Sequence, residues 1–259
     1  MGTALVTGAS AGIGRAFCRE LAERGHDLVV VARDRVRLEN LSDELEARYG
    51  VDVEILVADL GDRGQVQRVA DRLSNVQRPV DLLVNNAGFA MDRPILDGAV
   101  SEEERALDVM CRAVLVLSHA AGRLMRTRGR GAIVNVSSVA GFFAESSYSA
   151  AKAWTTTFSE ALSGQLSGTG VTVTALCPGL THTEFHARAG FDEAAMGSVP
   201  ELLWLDADRL VRDCLDDVAA GKVISVPGAP YKAALALTRV LPRSLVRRSA
   251  ASFGRNRRR

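Results

Sequence analysis

The sequence is poor in aromatic residues and in cysteine, and it has no long hydrophobic run. Aromatic residues make up 5% of the 259 residues, and the four cysteines (Cys18, Cys111, Cys177 and Cys214) form neither a CxxC pair nor a metal-binding spacing. Cysteines this far apart indicate free thiols in a reducing compartment. No apolar run approaches the roughly 20 residues of a membrane span, and a strand-like segment begins at Thr3, which leaves no room for a secretory leader. We therefore expect a cytoplasmic protein.

The chain also lacks an overall excess of charge of either sign. Its formal net charge is +1, which gives no electrostatic footprint for a nucleic-acid partner. The charge is unevenly placed, however, because the last acidic residue is Asp217 and residues 218–259 carry ten Lys and Arg. Residues 231–259 mix these basic residues with apolar ones, so we predict a C-terminal extension. Such an end is usually solvated, and weak contact with an anionic membrane surface is the minority alternative.

Short apolar runs alternate with longer amphipathic segments along the chain. Hydrophobic residues make up 47% of the sequence, and no linker rich in Pro, Gly or Ser divides it. This alternation predicts an α/β fold with a mostly parallel sheet covered by helices on both faces. The predicted strands cover 4–6, 28–32, 53–57, 82–84, 132–136, 171–175 and 223–226, and the helices lie near 12–24, 35–49, 62–74, 101–126, 146–167 and 206–220. We expect one domain over 1–230, with a substrate lid at about 180–205.

A glycine-rich turn follows the first predicted strand. Gly8, Gly12 and Gly14 fall in the segment TGASAGIG, which leads from that strand into a helix. Glycines there let the backbone approach a pyrophosphate, and the helix N-terminus offers free N–H groups. The pattern predicts a dinucleotide site, although glycine turns after strands also occur for conformational reasons alone.

The end of the second strand is where a dinucleotide site distinguishes its two cofactors. A carboxylate there accepts from the 2′-hydroxyl of NAD, whereas an arginine pairs with the 2′-phosphate of NADP. Arg33 stands at this position, with Asp34 beside it and Arg37 one helical turn further on. The sequence therefore favours NADP over NAD, and a solvated helix face is the alternative.

Polar residues also follow the third and fourth predicted strands. Asp59, next to Leu60, either contacts an adenine amino group or caps the following helix, and Asp62 is the better cap candidate. The segment NNAG, residues 85–88, lies at the carboxyl end of the fourth strand. A doubly wound sheet binds its ligands at this edge, so we expect these residues to contact the cofactor.

Ser138, Tyr148 and Lys152 predict a catalytic centre. Tyr148 and Lys152 are four residues apart, so they share one face of a helix. A tyrosine with its usual pKa of about 10 is a poor acid or base at neutral pH, and we expect the ammonium of Lys152 to lower that pKa. The hydroxyl of Ser138 can hold a substrate oxygen beside the phenol. Together the three residues suit proton donation to a carbonyl that receives hydride.

The sixth predicted strand ends in a sharp turn. Pro178 and Gly179 direct the chain away from the sheet, and Thr183 can bond a carboxamide. His182 and His186 are four residues apart, but they lack an acidic or cysteine partner at a recognised metal-ligand spacing. We interpret them as surface residues and predict no metal.

Five motifs in this order resemble the short-chain dehydrogenase/reductases. TGASAGIG, NNAG, SSVAG, YSAAK and CPG begin at residues 7, 85, 137, 148 and 177, and the resemblance spans residues 3 to about 226. It implies a seven-stranded Rossmann-type sheet, a nicotinamide cofactor and an oxidoreductase that acts on alcohol and carbonyl groups. It also implies a homodimer or homotetramer formed through the long fourth and fifth helices, where an Ala-rich face covers 144–161.

The resemblance assigns a role to each motif residue. Tyr148 is implied as the acid–base group, Lys152 as the residue that binds the nicotinamide ribose and lowers the tyrosine pKa, and Ser138 as the residue that orients the carbonyl or alcohol. The residues expected to hold the cofactor are Gly8, Ser10, Gly12, Ile13, Gly14, Arg33, Arg37, Asp59, Leu60, Asn86, Ala87, Gly88, Tyr148, Lys152, Pro178, Gly179 and Thr183.

Two features depart from the family pattern. Met110 stands 28 residues before the serine, where the family usually has an asparagine that helps to hold a water in a proton relay to the lysine. The backbone carbonyl of Met110 is the remaining way to bind that water. The gap from Ser138 to Tyr148 is 10 residues, shorter than is usual in the family, which shortens the loop at 142–147.

Apolar side chains near the lid predict an apolar or moderately polar substrate, such as a lipid-like or steroid-like ketone. The candidate pocket residues, for which packing within the lid is the alternative, are Phe89, Met91, Phe142, Phe143, Leu180, Phe185, Phe191 and Trp204. We therefore predict an NADP-favouring oxidoreductase. The alternatives are a catalytically weak or inert NADP(H)-binding protein that serves as a redox-sensing or interaction module and, less favoured, a nucleotide-sugar epimerase or dehydratase.

Overall fold

A parallel sheet forms the centre of the fold. The computed structural model describes residues 2–90, 94–143, 145–190, 197 and 199–240. In these ranges seven strands pair in parallel in the order β3-β2-β1-β4-β5-β6-β7. The strands are β1 Thr3–Thr7, β2 Asp27–Ala32, β3 Val53–Val57, β4 Leu82–Asn85, β5 Gly131–Val136, β6 Val171–Leu176 and β7 Ile224–Ser225. This confirms the doubly wound Rossmann-type sheet that the sequence predicts.

Helices connect the strands and cover the sheet. They are α1 Gly12–Glu23, α2 Arg35–Tyr49, α3 Arg63–Leu73, α4 Val100–Leu107, α5 Ala113–Arg128, α6 Ser147–Gln165, α7 Phe185–Arg188, α8 Ala207–Ala219 and α9 Ala229–Val240. The helix predicted at 101–126 contains a π-helical segment, Asp108–Arg112, through which the chain remains helical from α4 into α5. Within the ranges above, no helix is both long and apolar enough to cross a membrane.

Side-chain caps fix where several helices begin. The carboxylate of Asp34 accepts from Arg37 N at 3.1 Å and caps α2, and the carboxylate of Asp62 accepts from Gln65 N at 2.8 Å and caps α3. Each cap satisfies a backbone N–H that the helix itself cannot pair. The cap on α3 is therefore Asp62, as the sequence predicts, and Asp59 has a different role.

Two hydrophobic layers lie on opposite faces of the sheet. Phe17 of α1 and Leu210 of α8 pack in one layer, and Leu117 of α5 and Ala151 of α6 pack in the other. Successive strand residues point alternately into the two layers, which explains why the strands read as continuous apolar runs. Because all strands run in parallel, their carboxyl ends meet at one edge of the sheet.

The C-terminal part of the described chain belongs to this domain. The boundary predicted at residue 230 falls inside α9, and Leu235 of this helix is only 8% exposed. The predicted extension therefore begins later than the sequence suggested, because apolar side chains of α9 pack on the domain. Residues 241–259, which hold most of its basic residues, lie outside the described residues.

The segment predicted as a lid is partly helical. It contains α7 and a 3₁₀ turn, Glu201–Leu203, and a β-bridge between Thr181 and Leu205 joins its two ends. Residues 191–196 and 198, within the same segment, are not among the described residues. The bridge brings the end of the lid back beside the chain that leaves β6.

Candidate active site

A cavity of about 1050 Å³ runs along the carboxyl edge of the strands. Its walls bring together seventeen of the residues expected from the sequence, which are Gly8, Ser10, Gly12, Ile13, Arg33, Arg37, Asp59, Leu60, Asn86, Ala87, Gly88, Ser138, Tyr148, Lys152, Pro178, Gly179 and Thr183. Gly14 is not a lining residue. The same cavity is therefore lined by the glycine turn and by the predicted catalytic residues.

The glycine turn is shaped by backbone contacts that exclude side chains. Gly8 and Gly12 have φ of +65° and +52°, which favour glycine. A Cβ on Gly14 would lie 2.2 Å from the carbonyl oxygen of Gly8, so the lack of a side chain at Gly14 lets the helix pack on the turn. Ala11, which precedes α1, provides no side-chain cap. The first N–H groups of α1 are thus available to an anion such as a pyrophosphate.

Asn86 and Thr7 hold the glycine turn against the end of β4. The side-chain amide of Asn86 donates to the carbonyl oxygens of Thr7 and Gly8 at 2.9 and 3.2 Å. The hydroxyl of Thr7 accepts from the backbone N–H groups of Asn86 and Ala87 at 2.9 and 3.1 Å. Asn86 therefore supports the turn as well as lining the cavity.

Asp59 forms an ion pair that sequence reasoning missed. Its carboxylate accepts from Arg105 at 2.7 Å and from Gly61 N at 2.9 Å. Burial by itself would raise the pKa of Asp59, but these two bonds and the nearby Arg33 hold it below its usual value. Arg105 lies on α4 and lines the same cavity. No local pattern reveals this contact, because the two residues are 46 positions apart.

The arginines after β2 stand in different surroundings. Arg33 is exposed at the rim of the cavity. Arg37 forms an ion pair with Glu184 at 3.0 Å and lies 3.5 Å from Asp34. Glu184 belongs to the segment predicted as a lid, so this ion pair connects α2 to that segment.

Ser138, Tyr148 and Lys152 meet in the middle of the cavity. Ser138 follows β5 and forms a hydrogen bond with Tyr148, whereas Tyr148 and Lys152 lie one turn apart on α6. The ammonium nitrogen of Lys152 is 5.6 Å from the centroid of the Tyr148 ring, and it donates to the carbonyl oxygen of Val136 at 2.7 Å. The three side chains expected from the sequence therefore form one cluster.

The pKa of Tyr148 differs from the sequence-based expectation. Burial raises it to about 12, and the hydrogen bond with Ser138 opposes this effect. The expected net lowering of this pKa is not found, because burial dominates and the ammonium of Lys152 bonds to the carbonyl oxygen of Val136. Burial also lowers the pKa of Lys152 to about 8. At neutral pH the cluster thus holds a neutral phenol, which is a proton donor.

Met110 packs beside the lysine in the π-helical segment. A Cβ built on Gly88 would lie 3.5 Å from Cγ and Sδ of Met110 and 3.5 Å from Nζ of Lys152, so the thioether and the ammonium are neighbours. The carbonyl oxygen of Met110 accepts a hydrogen bond from the hydroxyl of Thr155 at 3.4 Å. The same hydroxyl has a shorter contact, 3.0 Å, with the carbonyl oxygen of Ala151, so the carbonyl of Met110 retains acceptor capacity for a relay water.

Residues 2–194 match the sequence profile of the short chain dehydrogenase family. The chain belongs to the short-chain dehydrogenases. It is therefore an oxidoreductase with a site for a nicotinamide cofactor.

Several relatives of this short-chain dehydrogenase are known. Sulfoacetaldehyde reductase 2 from Chromohalobacter salexigens is 39% identical over 74% of this chain and 77% of its own length. A short-chain dehydrogenase from Sphingobium yanoikuyae, solved with NADPH, is 35% identical, with a TM-score of 0.83 over 93% of this chain and 96% of the other. The bulky-bulky ketone specific alcohol dehydrogenase from Comamonas testosteroni is 29% identical, with a TM-score of 0.80 over 92% of both chains. Two further relatives are longer, and the match covers 61% and 43% of their lengths.

The far end of the cavity in this short-chain dehydrogenase is mainly apolar. Four of the predicted pocket residues line it, namely Phe89, Phe143, Leu180 and Phe185. Phe142 and Trp204 are not lining residues, and Trp204 instead stacks on His182 at 4.7 Å between ring centroids. Met91 and Phe191 lie outside the described residues. The lining residues that sequence reasoning missed are Val139, Ala140, Leu203, Tyr231, Ala234 and Leu235.

His182 has a protein partner that accounts for its position. Its Nε2 lies 3.0 Å from a carboxylate oxygen of Glu201. Considering only the parts of the chain that the structure describes, no group of three or more His, Cys, Asp or Glu residues is placed to hold a metal ion.

Proposed function

We propose that this short-chain dehydrogenase uses NADP(H) to interconvert an alcohol and a ketone or aldehyde on an apolar or lipid-like substrate. The observation that carries the proposal is the position of Ser138, Tyr148 and Lys152. They lie where the cavity passes from the glycine turn to its apolar end. The likeness to an alcohol dehydrogenase that is specific for bulky-bulky ketones supports this choice of reaction.

The proposed chemistry assigns a distinct task to each of the three side chains. The nicotinamide supplies or accepts the hydride when it is bound. Tyr148, kept neutral by burial, donates its proton to the carbonyl oxygen during reduction. Ser138 holds the same oxygen through its hydroxyl, and the ammonium of Lys152 stabilises the phenolate that Tyr148 becomes. In alcohol oxidation the phenolate takes the proton back.

The preference for NADP rests on the charge around the end of β2. Arg33 is exposed at the cavity rim, and Arg37 stands one turn away. Guanidinium groups bind a phosphate more strongly than they bind a hydroxyl, because the bonds are charge-assisted. The NADPH found in the relative from Sphingobium yanoikuyae supports the same assignment.

A second candidate function is that of a cofactor-binding protein with little catalytic activity. The apolar thioether of Met110 beside Lys152 favours it, since a thioether offers no strong hydrogen bond for a proton relay. The proton of Tyr148 would then be replaced slowly. This candidate predicts tight NADPH binding without turnover of any carbonyl.

The substitution Tyr148→Phe tests the proposed function. We expect NADPH-dependent reduction of ketones and aldehydes to fall by about 100-fold or more, since the general acid is lost. The dissociation constant for NADPH, measured by fluorescence, should stay within about twofold, because the ring remains in place. Tyr49→Phe on α2, outside the cavity, is the matched control and should keep full activity. Unchanged reduction by Tyr148→Phe would reject the assignment, and NADPH binding without turnover by the unmodified chain would favour the second candidate.

The proposal includes a location and partners. The four free cysteines, three of them buried, suit a reducing compartment such as the cytoplasm. We propose that the chain forms a homodimer or homotetramer through α4, α5 and α6. Weak membrane contact by the basic residues 241–259 stays a minority hypothesis. Equal liposome binding by the full chain and by a chain truncated after Val240 would reject it.

A further inference from the structure

Three parts of the chain enclose the end of the cavity beyond Tyr148. They are the 3₁₀ turn that follows Ser138, the chain that follows β6, and the C-terminal helix α9. Their apolar lining residues are Val139, Ala140, Phe143, Leu180, Phe185, Leu203, Ala234 and Leu235. A substrate whose carbonyl lies against Tyr148 must place its substituents among these side chains.

Tyr231 joins α9 to the other walls of this space. Its hydroxyl accepts from Leu180 N at 3.0 Å and donates to the carbonyl oxygen of Leu203 at 2.6 Å. Its ring lies directly on Gly179, where an added Cβ would stand 2.0 Å from the nearest ring carbon. One side chain thus fixes the first turn of α9 to the turn after β6 and to the lid.

Neighbouring alanines on α9 have different surroundings. Both alanines are exposed, but Ala234 lines the cavity and Ala233 does not. Consecutive helical positions are rotated by about 100°, which explains the difference. Leu235 is 8% exposed and packs α9 onto the domain. Since α9 also packs against the 3₁₀ turn Val139–Phe142, a larger side chain at position 234 would occupy part of the cavity between these two walls.

Two of the walls present alanine to the cavity, Ala140 from the 3₁₀ turn and Ala234 from α9. We propose that Ala234 is a specificity-determining residue that sets the size limit of the substrate space, so that the chain accepts ketones with two bulky apolar substituents. Tyr231 is the positioning residue that holds α9 at the required distance. This inference rests on the proposed function, and it adds the substrate class and the residue that selects it.

The test compares Ala234→Phe with the matched control Ala233→Phe. The kcat/KM of NADPH-dependent reduction is measured for benzophenone, which carries two bulky groups, and for benzaldehyde, which carries one. Ala234→Phe should lower the ratio of benzophenone to benzaldehyde activity by about tenfold or more, because overpacking a fixed space excludes the larger ketone. Ala233→Phe should leave the ratio within about twofold. Equal changes in both variants, or no change in either, would overturn the proposal.

A second variant tests the role of Tyr231. Tyr231→Phe keeps the ring on Gly179 but removes both hydrogen bonds of the hydroxyl. We expect kcat/KM for benzophenone to fall several-fold more than kcat/KM for benzaldehyde, through a higher KM, since α9 would be held less firmly while the three catalytic side chains are not touched. A fall in kcat for both substrates with an unchanged KM would contradict a positioning role.

A binding measurement separates failure of this inference from failure of the proposed function. If the unmodified chain reduces neither substrate, the proposed function fails. Benzophenone binding can still be measured as a rise in the Tm of the NADPH complex. This rise shows whether the substrate space accepts a bulky ketone. That rise should occur in the unmodified chain and in Ala233→Phe and be absent in Ala234→Phe. If Ala234→Phe shows the same rise in Tm and unchanged NADPH binding, position 234 does not limit the size of the substrate.

Discussion

At the scale of single residues, burial acts in opposite directions on the two titratable groups of the catalytic cluster. Removal from water disfavours the charged form of each group, so Tyr148 retains its proton to a higher pH and Lys152 loses its proton at a lower pH. Burial raises the pKa of Tyr148 to about 12 and lowers the pKa of Lys152 to about 8. The working combination, neutral phenol with charged ammonium, therefore exists below about pH 8.

This combination predicts the pH dependence of carbonyl reduction. The kcat/KM should be level below the pKa of Lys152, about 8, and fall above it, because the ammonium that stabilises the phenolate is lost. Tyr148 remains protonated in this range and does not contribute to the fall. Cys18→Ala on α1 is the control, since this buried thiol does not line the cavity and its removal should leave the midpoint in place. A reduction rate that increases through pH 8 would refute the prediction.

A second prediction at this scale concerns Arg33. Arg33→Ala should raise the dissociation constant for NADPH by about 10- to 100-fold, since a charge-assisted bond to the 2′-phosphate contributes about 1.5–3 kcal/mol. Binding of NADH should change little. Arg35→Ala is the matched control, because Arg35 lies two residues away, pairs with Glu39 and does not line the cavity. If Arg33→Ala weakens the binding of NADH and of NADPH to the same extent, Arg33 is not the residue that discriminates between the two cofactors.

At the scale of helices and strands, the ends of β1 and β4 are joined by one hydroxyl. Thr7 is almost fully buried, accepts two backbone N–H bonds from the chain after β4, and donates to the carbonyl oxygen of Val84 at 3.3 Å. The glycine turn and the NNAG segment therefore keep a fixed separation. Because these two segments form opposite sides of the proposed cofactor site, Thr7 fixes the distance between those sides.

Thr7→Val should weaken both the fold and the cofactor site. The substitution keeps the shape but leaves the N–H groups of Asn86 and Ala87 without their acceptor, so the free energy of unfolding should fall by about 1–3 kcal/mol. Denaturant unfolding measures this, and NADPH titration should show weaker binding. Thr127→Val on the exposed side of α5 serves as the control and should change stability by less than about 0.5 kcal/mol. Similar losses in both variants would argue against a particular role for Thr7.

The strands could be predicted from the sequence because their signal is local. Buried parallel strands are short apolar runs, and each predicted strand lies within one residue of the observed ends. The position of Ser138, Tyr148 and Lys152 likewise follows from spacing and order. Arg105 and Tyr231 were missed because each acts through contacts with residues 28 to 51 positions away, which no local pattern encodes. The π-helical segment was missed because its residues continue the apolar periodicity of the flanking helices.

At the scale of the whole molecule, the outer faces of α4, α5 and α6 are the proposed contact between subunits. Leu107, the last residue of α4, is 50% exposed, and Leu115, in the first turn of α5, is 46% exposed. Small residues of α6, such as Ala150 and Ala161, are also exposed and permit close approach of a second helix. An interface at this face would cover these side chains.

Leu115→Asp tests this contact. The unmodified chain should be a dimer or tetramer by light scattering, and Leu115→Asp should shift it towards the monomer, because an unpaired charge is costly in an interface. Leu202→Asp is the control, since Leu202 is 78% exposed in the lid and lies outside this face. An unchanged oligomer in Leu115→Asp, or equal dissociation in both variants, would place the contact elsewhere.

The strand order has a consequence for how the chain folds as it is synthesised. The first strand to be made, β1, lies in the interior of the sheet, with β2 and β3 on one side and β4 to β7 on the other. Residues 3–57 therefore contain three neighbouring strands that can pair while later residues are still being added. The edge of β1 that later pairs with β4 stays open until residue 85 has emerged, and such open edges attract other chains. We expect ribosome-bound fragments that end before β4 to aggregate more readily than fragments that include it.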